Sequence, residues 1–122
     1  MSRPLFLLAV LPALACSLVK DKQAAKEKLT KVSYYSDSFN GRKTSNGEIF
    51  DNNKFTAAHV SLPFGSKVLL TNVSTGDTVT VKVNDRGPLH RGRGFDITKA
   101  AFKKLGDLRI GIMQVSYQII EE

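Results

Sequence analysis

The segment Lys67 to Asn84, KVLLTNVSTGDTVTVKVN, constrains the fold more than any other part of the chain. Its second half alternates without a break, with Val79, Val81 and Val83 on one face and Thr78, Thr80 and Lys82 on the other. Side chains alternate between faces only in an extended strand, so the pattern specifies one buried and one wet face. Lys67 to Val73 is aliphatic and β-branched, and the turn cluster Ser74-Thr75-Gly76-Asp77 joins the two runs. Together they predict a β-hairpin.

Other segments repeat the signal. Met113, Val115, Tyr117 and Ile119 alternate with Gln114, Ser116 and Gln118, and Val32 to Tyr35 and Phe95 to Ile97 are shorter strand candidates. One helix is expected over 99 to 105: Thr98 can cap it, Ala100, Ala101, Phe102 and Leu105 give an apolar face, and Gly106 stops it. A second short helix or turn is expected over Asn52 to Ala58. Residues 32 to 121 suffice for one small core, and several short strands with so little helix predict a small six-stranded closed barrel.

The N-terminus reads as an address. After Met-Ser-Arg, the run Pro4 to Ala15 is almost wholly apolar. It falls short of the roughly 20 residues a spanning helix needs, and it fits a signal peptide over 1–15 that ends in Ala13-Leu14-Ala15. The next residue, Cys16, is the only cysteine, so an internal disulfide is excluded and PALAC reads as a lipidation site. Residues 16–31, with Lys20, Lys22, Lys26, Lys28 and Lys31, are expected to form a lysine-rich tether without a fold. The membrane is thus an expected partner through the N-terminal lipid, and the domain is expected to lie in the cell envelope, facing the periplasm or cell wall.

The formal net charge is +7. Basic chains often bind nucleic acid, but an exported chain rarely meets any, and none is expected as a partner. Anionic envelope polymers or membrane surfaces are the better candidates. No metal or other cofactor is expected. Two histidines and one cysteine lack ligand pairs at structural spacing, and phosphate cradles and nucleophile elbows are missing.

Glu48, Asp51 and His59 crowd into NGEIFDNNKFTAAH, and Asp85 ends the alternating strand in NDRGP. Such carboxyls suit acid/base chemistry, yet Glu48 reads equally as an exposed loop carboxylate. Asp51 reads as a cap on the turn at Asn52, and Asp85 as a turn aspartate. His59 alone would be a packed, hydrogen-bonded residue, and His90 reads as surface.

Three segments in series, YYSDSFNGRKTSNGEIFD, FTAAHVSLPFGSKVLLTN and VKVNDRGPLHRGRGFDIT, resemble the bacterial rare lipoprotein A family in order and spacing. The resemblance covers about Val32 to Ile120. It implies a double-psi β-barrel, a fold shared with expansins and barwin-like domains. It also implies an endolytic lytic transglycosylase acting on peptidoglycan glycan strands that lack stem peptides. The alternative is a non-catalytic, expansin-like wall-binding or wall-loosening lipoprotein, because a fold does not fix an activity. On the enzyme reading Asp85 is the general acid, with a raised pKa, and Glu48 the second acid/base or sugar-orienting group; the reverse assignment stays open. His59 orients a carboxylate or a sugar hydroxyl. Asp51, Tyr35, Arg91 and Arg93 are expected on the substrate, the arginines toward the lactyl carboxylate of the glycan. Of Tyr34 and Tyr35, one is expected to face the core. Asp96 is expected to brace the arginine loop, and the protein is expected to be a monomer.

Overall fold

The alternating segment forms the hairpin it predicts. Strand β3 (Lys67–Asn72) pairs antiparallel with β4 (Thr78–Asp85), from Lys67 opposite Lys82 to Thr71 opposite Thr78. Val79, Val81 and Val83 are buried, while Thr78, Thr80 and Lys82 are exposed. The computed structural model describes residues 28–122 apart from Leu89.

Four more strands complete a closed barrel: β1 (Lys28–Tyr34), β2 (Thr56–Ala58), β5 (Arg93–Ile97) and β6 (Met113–Glu121). Around the barrel the order is β1, β5, β2, β4, β3, β6, so each strand has two neighbours and none is left as an edge. Two pairs are parallel, β1 with β5 and β2 with β4. Val32, Val68, Leu70, Phe95, Ile97 and Val115 fill the interior. The helix α1 (Lys99–Leu105) closes one end. Thr98 caps it through its side-chain oxygen, which accepts from the Ala101 N–H, and Ala101, Phe102 and Leu105 turn inward.

Two expectations are corrected. The segment Asn52 to Ala58 is not a helix: a turn covers its start, and Thr56–Ala58 is a strand between β4 and β5. Thr-Ala-Ala carries no strand signature of its own. Its small side chains fit the crowded interior, where Ala57 and Ala58 are buried, and tertiary pairing overrides local preference. The tether also ends earlier than expected. Residues Lys28 to Lys31 belong to β1 and pair with Tyr117 to Gln114 of β6. Lysines disguised this stretch, although strand pairing is made by the backbone and leaves their side chains in water. Residues 1–27, with the expected signal peptide, Cys16 and most of the tether, lie outside the described residues.

Strand direction gathers particular residues at one mouth of the barrel. The parallel strands β2 and β4 both end there, with Ala58 opposite Asp85. Across β2 and β5 the register runs from Asp85 to Ala58, Asp96 and Ser33, so Asp85 lies level with the last residues of β5 and β1. β3 begins and β6 ends at the same mouth, with Lys67 opposite Glu121. His59, which follows Ala58, is bonded to Asp85 through the backbone and shares a groove with Lys28 and the end of β6.

Asn52 locks the long β1–β2 connection to this frame. It is 2% exposed; its side-chain oxygen accepts from the Lys99 N–H, and its amide donates to the Tyr35 carbonyl and to Asp37. Asn52→Ala strands buried partners, which costs about 1–3 kcal/mol for each group left unsatisfied. A loss of about 2–3 kcal/mol should lower the melting temperature by roughly 10–20 °C in a domain of this size. A shift of only a degree or two by calorimetry would show that Asn52 is not the lock.

Candidate active site

Asp85 sits at the last position of β4, half-buried, and its carboxylate gathers donors from three parts of the chain. The Tyr35 hydroxyl donates to Oδ2 at 2.7 Å. Oδ1 accepts from the Ser45 hydroxyl at 2.7 Å, the Ser45 N–H at 3.0 Å and the Arg86 N–H at 2.9 Å. Burial alone pushes this carboxyl up, but the Ser45 and Tyr35 side chains and the Ser45 and Arg86 N–H groups outweigh it. The net effect holds Asp85 below its ordinary value. That direction is opposite to the raised pKa expected of a general acid. The sequence conceals the reason, because the decisive donor, Ser45, lies forty positions away in a glycine-rich loop.

The loop holding Ser45 is a small hairpin closed by a bridge between Lys43 and Ile49. Gly47, at φ +92°, makes its tip, a conformation L side chains rarely adopt. The Asn46 N–H donates to the Asn84 carbonyl at 3.2 Å, so the tip is fastened to β4 beside Asp85. Glu48 follows directly. Its side chain is exposed and accepts from the Asn46 amide, and its N–H donates to the Asn46 side-chain oxygen at 3.1 Å. Glu48 and Asp85 are thus tied to adjacent residues of the hairpin, Glu48 to Asn46 and Asp85 to Ser45.

His59 extends β2 past Ala58, and its N–H donates to the Asp85 carbonyl at 3.2 Å. Its Nδ1 accepts from the N–H groups of Ser61 (3.1 Å) and Leu62 (3.0 Å), which leaves the ring proton on Nε2. Burial, and then the Arg86 charge, hold this imidazole below its ordinary value. At neutral pH it is an uncharged donor, fixed in orientation and stacked 4.8 Å from Phe95.

The remaining candidates divide. Tyr35 lies at the site, tilted against Phe50 at 4.4 Å, and burial followed by its bond to Asp85 pushes its hydroxyl far up. It is therefore a donor and not a base. Tyr34 faces the other way, packing on Phe102 and donating to the Leu108 carbonyl at 2.9 Å. Asp51 serves its own turn, accepting from the Asn53 N–H at 2.9 Å. Arg93 donates to the Ser33 hydroxyl, which donates to Asp96, so this arginine ties β5 to β1. Arg91 and His90 are exposed. Sequence reading missed Ser45 and Arg86. The Arg86 guanidinium lies 3.9 Å over the Phe64 ring, which pins it beside His59; only the motif NDRGP hinted at it. Among the described residues no three His, Cys, Asp or Glu side chains gather as a metal-binding group.

Closed topology and two parallel pairs define the class as a double-psi β-barrel. A structure of Clavibacter michiganensis expansin without ligand superposes with a TM-score of 0.64 at 22% identity, covering 79% of this chain and 51% of that one. A family model described as lytic transglycolase matches residues 28–117. The chain belongs to that family. It is 54% identical over 85 residues to a Treponema pallidum protein named probable endolytic peptidoglycan transglycosylase RlpA, covering 70% of this chain and 27% of that one. It is 49% identical over 89 residues to the Neisseria meningitidis serogroup A protein named endolytic peptidoglycan transglycosylase RlpA, covering 73% of this chain and 37% of that one. The chain therefore matches well under half the length of these relatives.

A depressed folded pKa makes the contribution of ionised Asp85 complete above its unfolded value, about 4. It is lost as the pH falls through the folded value. Asp85→Asn should therefore flatten the acid side of the stability profile below about pH 4. Ser45→Ala should move the Asp85 titration, followed by carbon NMR, upward. An unmoved titration would mean that Ser45 does not set the carboxylate.

Proposed function

We propose that this domain is an endolytic lytic transglycosylase that cuts peptidoglycan glycan strands, those without stem peptides, to leave anhydro-muramyl ends. The supporting observation is the fastening of the Glu48 hairpin onto Asp85 by Ser45, which brings two carboxyl-bearing segments to one barrel mouth. The names of the relatives point to the same reaction.

In such a cleavage the muramyl 6-hydroxyl attacks the anomeric carbon. The C1–O6 bond forms, the glycosidic C1–O bond breaks, and no water is consumed. One proton must reach the leaving oxygen, and one must leave the 6-hydroxyl. The donors around Asp85 favour its ionised form, which suits it to accept the hydroxyl proton and to face the positive charge developing at C1. Glu48 is then the proton donor. Neutral His59 offers its Nε2–H to a sugar oxygen, and Tyr35 holds Asp85 in place.

Digestion of purified peptide-free strands, read by mass spectrometry, should yield anhydro-muramyl ends. Asp85→Asn and Glu48→Gln should each lower the rate by about 10² to 10⁴, the usual worth of acid–base catalysis. Melting temperatures near wild type would exclude unfolding as the cause. A wild type that binds strands but leaves no anhydro ends would make the domain a wall-binding module. Either variant cutting at the wild-type rate would remove that residue from its role.

The domain's place in the cell envelope belongs to the same reading, with anchoring through a lipid on Cys16. Its support is the apolar run ending at Ala15 immediately before the only cysteine. Cys16→Ser should move the protein from the membrane to the soluble fraction. Retention of the variant on membranes would count against the anchor.

A further inference from the structure

Beside His59 the surface opens into a groove of about 500 Å³. Lys28, Ser61, Leu62, Tyr117 and Gln118 line it together with His59. The wall is rigid for reasons already visible. Phe95 lies 4.8 Å from the His59 ring and 5.2 Å from Tyr117, so the three rings form one packed row. The two backbone N–H groups on Nδ1 fix how the imidazole faces the groove. Tyr117 and Leu62 offer an apolar surface, whereas Ser61, Gln118 and the His59 Nε2–H offer hydrogen bonds. Such a mixture fits a pyranose, which has apolar faces and a hydroxylated rim.

Lys28 supplies the charge. It sits at the first position of β1, opposite Tyr117. Ion pairs among the described residues engage Lys67, Lys99 and Arg109, and Lys28 forms none. No other cationic side chain lines this groove. Of the arginines expected on the lactyl carboxylate, Arg93 is bonded to Ser33.

We propose that this groove is a muramyl subsite and that Lys28 selects sugars whose lactyl group ends in a free carboxylate. The inference rests on the glycan-cleaving reading above and deepens it. When a stem peptide is attached, the same lactyl carbon is an amide: uncharged, bulky and unable to form an ion pair. One lysine thereby distinguishes stripped strands from peptide-bearing ones, by attraction to the first and by nothing offered to the second. The aromatic wall holds the sugar ring in register, and His59 links this subsite to the carboxyl pair.

Calorimetric binding of the purified domain would test this with two ligands of equal length: peptide-free muramyl-containing strands and N-acetylglucosamine oligomers, which have no lactyl group. Wild type should prefer the carboxylated strand by roughly three- to tenfold, the size of a partly exposed charged contact. Lys28→Gln should abolish the preference and its salt dependence. Lys104→Gln, at the far end of the barrel, should leave both intact. Preference retained in Lys28→Gln, equal loss in Lys104→Gln, or no wild-type preference would each overturn the proposal. The cleavage reading is judged separately. A lysine-dependent preference without anhydro ends would keep the subsite and discard the enzyme, and anhydro ends without the preference would do the reverse.

Discussion

A half-buried carboxylate is tolerable only if donors replace the water it gives up, and at Asp85 those donors come from the β1–β2 connection and from the residue that follows it. Tyr35 arrives from the end of β1 and Ser45 from the hairpin. Arg86 is placed by the chain itself. Each bond therefore also fastens a segment, and the arrangement of the mouth follows from satisfying one charged group. Behind Tyr35 stands Asn52, which holds the Tyr35 carbonyl and the start of the helix together. The charge, the loop and the helix are held by one connected set of hydrogen bonds.

The same donors decide what the carboxylate can do. Favouring the ionised form suits a group that takes up a proton or faces positive charge, whereas Glu48 has fewer partners and more water. Two carboxyls in unlike surroundings are the usual way to divide acid from base within a single site. His59 donates its backbone N–H to the Asp85 carbonyl and also lines the groove, with the ring proton on Nε2.

Much of the barrel was legible because its period-two signals are strong. The valines of β4, the helix cap at Thr98 and the stop at Gly106 all lie where local chemistry places them. β2 was not legible, since Thr-Ala-Ala becomes a strand only by fitting between β4 and β5. Lys28 to Lys31 were read as tether because their charge was visible and their backbone pairing was not. At the site, Glu48, His59 and Asp85 could be picked out as residue types in turn-rich motifs. The direction of the Asp85 shift could not, because it depends on Ser45 and Tyr35, distant in sequence and adjacent only after closure. Asp51 accepts from the Asn53 N–H, as its place before a turn implies.

Strand β1 begins at Lys28, which lines the groove with His59, so the chain preceding Lys28 joins the domain beside the groove. With a lipid on Cys16, the twelve residues from 16 to 27 could span at most about 40 Å. The tether and the groove would then share one side of the molecule. On the proposed lipid anchor, the barrel would stay within that distance of the bilayer.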